Sequence, residues 1–267
     1  GLGWLVVRIK SLHHIRPQFV EEPERVNPTM PTIRPHTTVI LAMSADGKIA
    51  DRERSPARFG SVADRTHLER QVARADGVLF GNGTLRAYGT TLRVSSSELL
   101  RDREKNGKPP QPVQIVCSAS GEIDPTLKFF KQPVPRWLLT TALGERRWQD
   151  RWGYFDRAIV VSDSEGAIVG SDGLRQLAEL GLERVAVLGG GQLVGSLVEE
   201  EAIDELWLTI CPLMLGGTAS PTPVGGRGFL SDLAPRLELL DLERVEDEVF
   251  LHYSVKPITS QKSEVKS

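Results

Sequence analysis

Six apolar runs, each four to six residues long and rich in β-branched side chains, recur along the chain between segments of helical character. They are Thr37–Ala42, Gly77–Phe80, Val113–Cys117, Trp137–Thr141, Ala158–Val161 and Val185–Leu188. A strand without polar alternation must be covered on both faces, which is the condition of strands in a parallel sheet. The intervening segments supply the cover. Ser61 followed three residues later by Asp64 has the form of a capping box and opens a helix expected to run to about Ala75. Further helices are expected around Leu143–Arg151 and Ser171–Leu180, and from the glycine run after Leu188 through Glu200. Ile203–Ile210 begins another strand, and Leu237–Arg244 with Glu248–Val255 reads as an antiparallel pair. Ser95–Ser97 reads as a loop. The fold class expected is α/β: a three-layer αβα sandwich on a mostly parallel sheet, ending in an antiparallel strand pair.

The four prolines and mixed charges of Glu21–Pro35 read as a linker. The expected division is an arm over residues 1–33, one domain over 34–257 and a tail over 258–267. With 33 basic and 35 acidic side chains the net charge is −2, which gives no overall cationic field for nucleic acid or an anionic membrane. No apolar run reaches the roughly 18 residues of a membrane helix, and Gly1–Lys10 lacks the form of a secretory signal. Cys117 and Cys211 sit singly in apolar stretches, so a cytoplasmic location with reduced thiols is expected and a disulfide framework is not. The five histidines show no metal-ligand spacing. Neither a His-x-Glu with a following Cys-x-x-Cys nor a Gly-x-Ser-x-Gly elbow is present.

Two segments share one design, a buried strand running into a glycine turn. The first is Val78–Phe80 followed by Gly81-Asn82-Gly83-Thr84. The second is Val185–Leu188 followed by Gly189-Gly190-Gly191-Gln192-Leu193 and a helix. Such turns let backbone N–H groups approach a ligand, and the start of a helix favours an anion, so a pyrophosphate suits both. The plainer reading of each is a tight strand-to-helix turn. Neither matches the usual dinucleotide fingerprint: Gly189–Gly195 lacks its third glycine spacing, and Asp204 and Glu205 open the next strand instead of gripping a ribose. No Gly-Lys-Ser/Thr follows either turn, which excludes a Walker loop.

Taken in order, four blocks resemble the riboflavin-biosynthesis pyrimidine reductases, which occur alone or as the C-terminal half of deaminase–reductases. The blocks are Arg34–Ala50, Ala75–Thr84, Gly189–Leu206 and Pro212–Phe229. The resemblance implies a dihydrofolate-reductase-like fold, NADPH as cofactor, a homodimer, and reduction of the ribose of 5-amino-6-(5-phosphoribosylamino)uracil. It implies that Gly189, Gly190, Gly191, Gln192 and Leu193 hold the cofactor phosphates, with Gly81, Gly83 and Thr84 in contact from the second block. It places Ala42 beside the nicotinamide. Arg58 and Arg86 flank these blocks and are candidates for the extra phosphate of NADPH. Asp46 is the candidate polar residue near the substrate, with a turn-forming role as its alternative. The chain departs from the family pattern at Ile40, Arg58, Tyr88, Gly89 and Leu188, most of them positions where the family carries polar groups. Two further readings follow: a reductase of another pterin-like or carbonyl compound, and a non-catalytic dimeric nucleotide-binding protein.

Overall fold

The computed structural model describes residues 34–151, 153–164 and 167–256. The arm expected over 1–33 and the tail over 258–267 lie outside the described residues. In chain order the elements are β1 (His36–Ser44), α1 (Val62–Arg74), β2 (Gly77–Gly81), α2 (Asn82–Tyr88), α3 (Ser97–Lys105), β3 (Val113–Cys117), a 3-10 turn at Lys128–Lys131, β4 (Arg136–Thr140), α4 (Ala142–Trp148) and β5 (Arg157–Val160). A two-residue hairpin of β6 (Asp163–Ser164) and β7 (Ala167–Ile168) follows, then α5 (Gly170–Glu179), β8 (Arg184–Val187), α6 (Gly191–Glu199), β9 (Glu205–Cys211), β10 (Arg236–Val245) and β11 (Glu248–Lys256).

One nine-stranded sheet has the order β10-β11-β9-β1-β8-β2-β3-β4-β5. Every neighbour from β9 to β5 is parallel, and β11 and β10 add the antiparallel pair. Period-two alternation divides the apolar residues between two cores. Val39, Leu41, Leu79, Ile115, Leu139, Val185 and Val187 pack with Leu174 and Leu177 of α5 and Val194 and Leu197 of α6. Ile40, Val78, Phe80, Val116, Leu138 and Ala186 pack with Val72 of α1, Leu85 of α2 and Trp148 of α4. The expected three-layer sandwich is therefore present, with α1 to α4 on one face and α5 and α6 on the other.

Several details correct the sequence reading. The loop expected over Ser95–Ser97 ends at Ser96, which caps α3 from Ser97 onward, its hydroxyl accepting the N–H of Leu99 at 3.5 Å. That helix carries no apolar stripe, which hid it. The strand expected to begin at Ile203 starts at Glu205 and ends at Cys211, so Pro212–Leu215 leaves the sheet. The capping box of α1 is half made. Ser61 Oγ accepts the N–H groups of Ala63 and Asp64 at 3.1 and 3.2 Å. The N–H of Ser61, however, donates to Glu248 of β11 at 2.8 Å, and not to Asp64. At the other end of α1, the buried Arg103 guanidinium donates to the carbonyls of Ala73 and Ala75 at 2.7 and 2.8 Å and so satisfies acceptors that the helix leaves open.

Candidate functional site

The strand order decides where a ligand can enter. β8, late in the chain, lies between β1 and β2. The helices after β1 and β2 pack on one face of the sheet and the helix after β8 packs on the other. Connections that leave neighbouring carboxyl ends in opposite directions open a crevice between them, the usual ligand position in open α/β sheets. Both glycine turns lie there. Gly81 N–H donates to the Gly189 carbonyl at 2.9 Å, and Leu188 N–H to the Leu79 carbonyl at 3.0 Å.

Within the second turn the glycines have different work. Gly189 has φ of 93°, a backbone that side chains disfavour. A methyl group on Gly190 would meet only Thr84 Oγ1, at 3.5 Å, whereas one on Gly191 would overlap the Thr222 carbonyl oxygen. Gly195, one turn further along α6, is pressed in the same way against Gly225, whose N–H donates to the Gly191 carbonyl at 2.8 Å. The loop through Thr222–Gly226 is thus seated on α6 through glycines. The N–H groups of Gly190, Gly191, Gln192 and Leu193 meet no carbonyl partner among the described residues.

The other expected residues distribute around this crevice. Ala42, partly exposed, pairs in register with Thr209 of β9. Gly83 has open space beside its Cα. Gln192 is exposed with its amide against Gly225, while the Leu193 side chain packs into the core, which leaves only its backbone to face a ligand. Arg86 lies exposed on α2, and Arg58 is exposed in the loop before α1, next to Ala57, whose carbonyl accepts the Tyr88 hydroxyl at 3.1 Å. Asp46 is occupied as a turn former. Its oxygens accept Ser44 Oγ at 2.6 Å and the N–H groups of Leu215 and Gly216 at 3.0 and 2.6 Å. The Ser44 hydroxyl, then those two N–H groups, hold its carboxyl down at about 2. It clasps the β1–α1 loop to the loop after β9.

A second group of polar residues lines the same edge, and reading of single motifs missed it. Glu248 is 4% exposed and accepts Ser61 N–H at 2.8 Å and Ser61 Oγ–H at 2.5 Å, with the Cys211 thiol beside it. Asp64 lies beside it with its carboxyl over Gly60 and near the Thr209 hydroxyl; burial first, then the charge of Glu248, push its carboxyl above the usual carboxylate range. The same carboxyl acts on Tyr88, whose phenol is raised mainly by burial. Behind α1, His67 packs on Trp207 and Phe250 with ring centroids at 4.6 and 5.3 Å. Its buried Nε2 has no partner, and burial drives its pKa down to about 4, with Arg70, Arg74 and His252 adding to the effect. The sequence signal for the group was Asp64 in the capping box; its partner Glu248 comes from the far end of the chain.

Comparison with known proteins agrees with the fold. A family model described as the RibD C-terminal domain matches residues 35–251. A 2,5-diamino-6-ribosylamino-4(3H)-pyrimidinone 5′-phosphate reductase of Archaeoglobus fulgidus is 29% identical over 205 residues, covering 74% of this chain and 90% of that protein. The RibD structure of Acinetobacter baumannii has a TM-score of 0.69 at 18% identity, covering 85% of this chain and 59% of that one. A pyrimidine reductase-like protein of Corynebacterium diphtheriae also gives 0.69, at 21% identity, over 84% of this chain and 92% of that one. The chain spans somewhat over half the length of several RibD proteins it matches.

Proposed function

This chain belongs to the RibD C-terminal domain family, and from that premise we propose that it is an NADPH-dependent reductase of a 6-ribosylaminopyrimidine 5′-phosphate. The observation that carries the reading is the meeting of two glycine turns at the carboxyl ends of β2 and β8, with their helices departing to opposite faces. The residues fit a dinucleotide. The N–H groups of Gly190 to Leu193 at the start of α6 supply donors for the pyrophosphate, Gly190 leaves room for it to approach, and Gly81, Gly83 and Thr84 flank it from α2. Ala42 is the small residue beside the nicotinamide. Bound there, the dihydronicotinamide supplies the hydride, and the protein contributes position and exclusion of water.

The uracil substrate expected from the sequence and the diaminopyrimidinone named for the Archaeoglobus protein share the ribosylamino phosphate and differ at ring position 2, away from the reduced carbon. Both belong in the test. Purified protein is titrated with NADPH by calorimetry and assayed for NADPH oxidation with each pyrimidine. Saturable binding with turnover of either supports the reading, and absence of NADPH binding refutes it. Arg58→Ala and Arg86→Ala should each weaken NADPH by roughly 1–3 kcal/mol, as for a hydrogen bond to a charged group, while NADH binding stays unchanged.

The functional unit proposed is a homodimer. All of β10 from Arg236 to Arg244 is exposed. Leu237, Leu239 and Leu242 lie opposite Val255, Tyr253 and Leu251 of β11, and β11 continues into Leu206 and Leu208 of β9. Directly opposed residues share a face, so these form one apolar surface at the end of the sheet. A second copy of the chain is the occupant proposed for it. A location in the cytoplasm is proposed with the same reading; no helix among the described residues is long and apolar enough to cross a membrane.

A further inference from the structure

We propose that Asp64 is the proton donor of the reduction, with Glu248 as the residue that positions it. This rests on the reductase reading above. Hydride addition to a double bond leaves a negative charge on the partner atom, and a proton must meet it there. Around the crevice, Asp46 has both oxygens committed to a loop and Tyr88 gives its hydroxyl to the Ala57 carbonyl. Glu248 is held by Ser61, and among the described residues Asp64 is the carboxyl at this edge whose oxygens accept no N–H.

An acid at the third position of α1 would ordinarily turn back to the cap N–H and carry a negative charge favoured by the helix dipole. Here Glu248 takes that N–H together with the Ser61 hydroxyl, one on each carboxylate oxygen. Asp64 receives no cap N–H; its carboxyl lies over Gly60, with the Thr209 hydroxyl beside it. Thr209 is the register neighbour of Ala42, and the two share the sheet face that α1 covers. Two strand spacings, about 10 Å, separate β9 from the glycine turn of β8. The proton donor and the pyrophosphate cradle therefore stand at opposite ends of one crevice, with Ala42 between them.

Opening of a ribosylamine ring gives a carbon–nitrogen double bond. Asp64 gives its O–H proton to the nitrogen while the carbon takes up the hydride with its electron pair, so C=N becomes CH–NH. The products are the ribitylamine, oxidised nicotinamide and the Asp64 carboxylate, which regains a proton from water. Groups facing Asp64 are Thr209 and Cys211 from β9, Glu248 from β11, Tyr88 from α2 and, in the cap of α1, Ser61, whose hydroxyl accepts the Asp64 N–H. Burial above all, and then the charge of Glu248, raise the Asp64 carboxyl, and the Thr209 hydroxyl works against them.

The test uses the full chain. Asp64→Asn should lower kcat by about 10²-fold or more, the usual contribution of a general acid, with NADPH affinity by calorimetry unchanged within about threefold. The activity of wild type should fall at high pH as Asp64 loses its proton. Glu248→Gln should move that limb to lower pH and Thr209→Val to higher pH, opposite shifts that a purely structural role does not produce. If Glu248→Gln does not fold, Thr209→Val still decides the direction. Carbon-13 NMR of the side-chain carboxyl in the free protein should show Asp64 titrating above the ordinary value of about 3.9. Titration at the ordinary value, or an Asp64→Asn enzyme with kcat within tenfold of wild type, overturns the proposal. Wild-type protein that binds NADPH but turns over neither pyrimidine sinks the substrate reading alone, and the NMR titration then decides the role of Asp64.

Discussion

Adjacent glycines at the start of α6 should separate binding from stability when each is replaced by alanine. A methyl group on Gly191 collides with the Thr222 carbonyl, which is backbone and cannot swing away. The strand of loop that must move also carries the Gly225 N–H bonded to the Gly191 carbonyl at 2.8 Å. Overpacking of this kind costs about 1–3 kcal/mol, and loss of the hydrogen bond adds about 1 kcal/mol. Gly191→Ala should therefore lose about 2–4 kcal/mol, which in a domain of this size lowers Tm by roughly 4–16 °C. Gly190 differs: its φ is −75°, open to any residue, and its methyl group would sit at ordinary contact from Thr84 Oγ1 at 3.5 Å. Gly190→Ala should leave stability within about 1 kcal/mol of wild type. It should nonetheless weaken NADPH at least about tenfold, roughly 1.4 kcal/mol, by standing where the pyrophosphate approaches. Thermal unfolding without nucleotide and calorimetric titration measure the two effects independently. A Gly190→Ala protein that binds NADPH as wild type does would refute the placement of the phosphates, and an undisturbed Tm for Gly191→Ala would refute the packing argument.

Ser61→Ala removes the cap of α1 and one donor to the buried Glu248, so unfolding in urea should show a loss of about 2–4 kcal/mol. His67 is held neutral, its pKa lowered to about 4 by burial first and neighbouring cations second. A group with a depressed cationic pKa destabilises the fold as pH drops from its unfolded value of about 6.5 toward its folded one, so wild type should lose on the order of 2 kcal/mol from this residue over that window. His67→Phe should flatten that part of the stability profile in urea titrations at successive pH values, and an unchanged slope would count against it. Leu239→Glu with Leu242→Glu, at 50% and 57% exposure, should convert the proposed dimer to monomer in light scattering while leaving the far-ultraviolet spectrum intact; a double variant that stays dimeric would move the interface elsewhere.

The apolar runs and their spacing determined the strands, the two-sided burial and the αβα class, because burial on both faces is written locally in the composition of each run. The Ser61 cap and the glycine turns were legible for the same reason: they depend on a few consecutive residues. α3, with its polar sequence Ser97–Lys105, was not, because it is fixed by the Ser96 cap and by Arg103 reaching the end of α1. What the crevice is made of required the tertiary structure. No local pattern states that β8 inserts between β1 and β2, yet that insertion brings Gly81 to Gly189 and sends neighbouring helices to opposite faces. Gly191 and Gly195 have the composition of a phosphate loop, and the fold spends them on contact with Thr222 and Gly225. Asp64 reads as half of a capping box until Glu248, arriving from β11, displaces it. Hydrogen bonds within one turn depend on neighbouring residues, whereas competition for the same N–H by a distant carboxylate depends on strand order, and strand order is a property of the whole packed sheet.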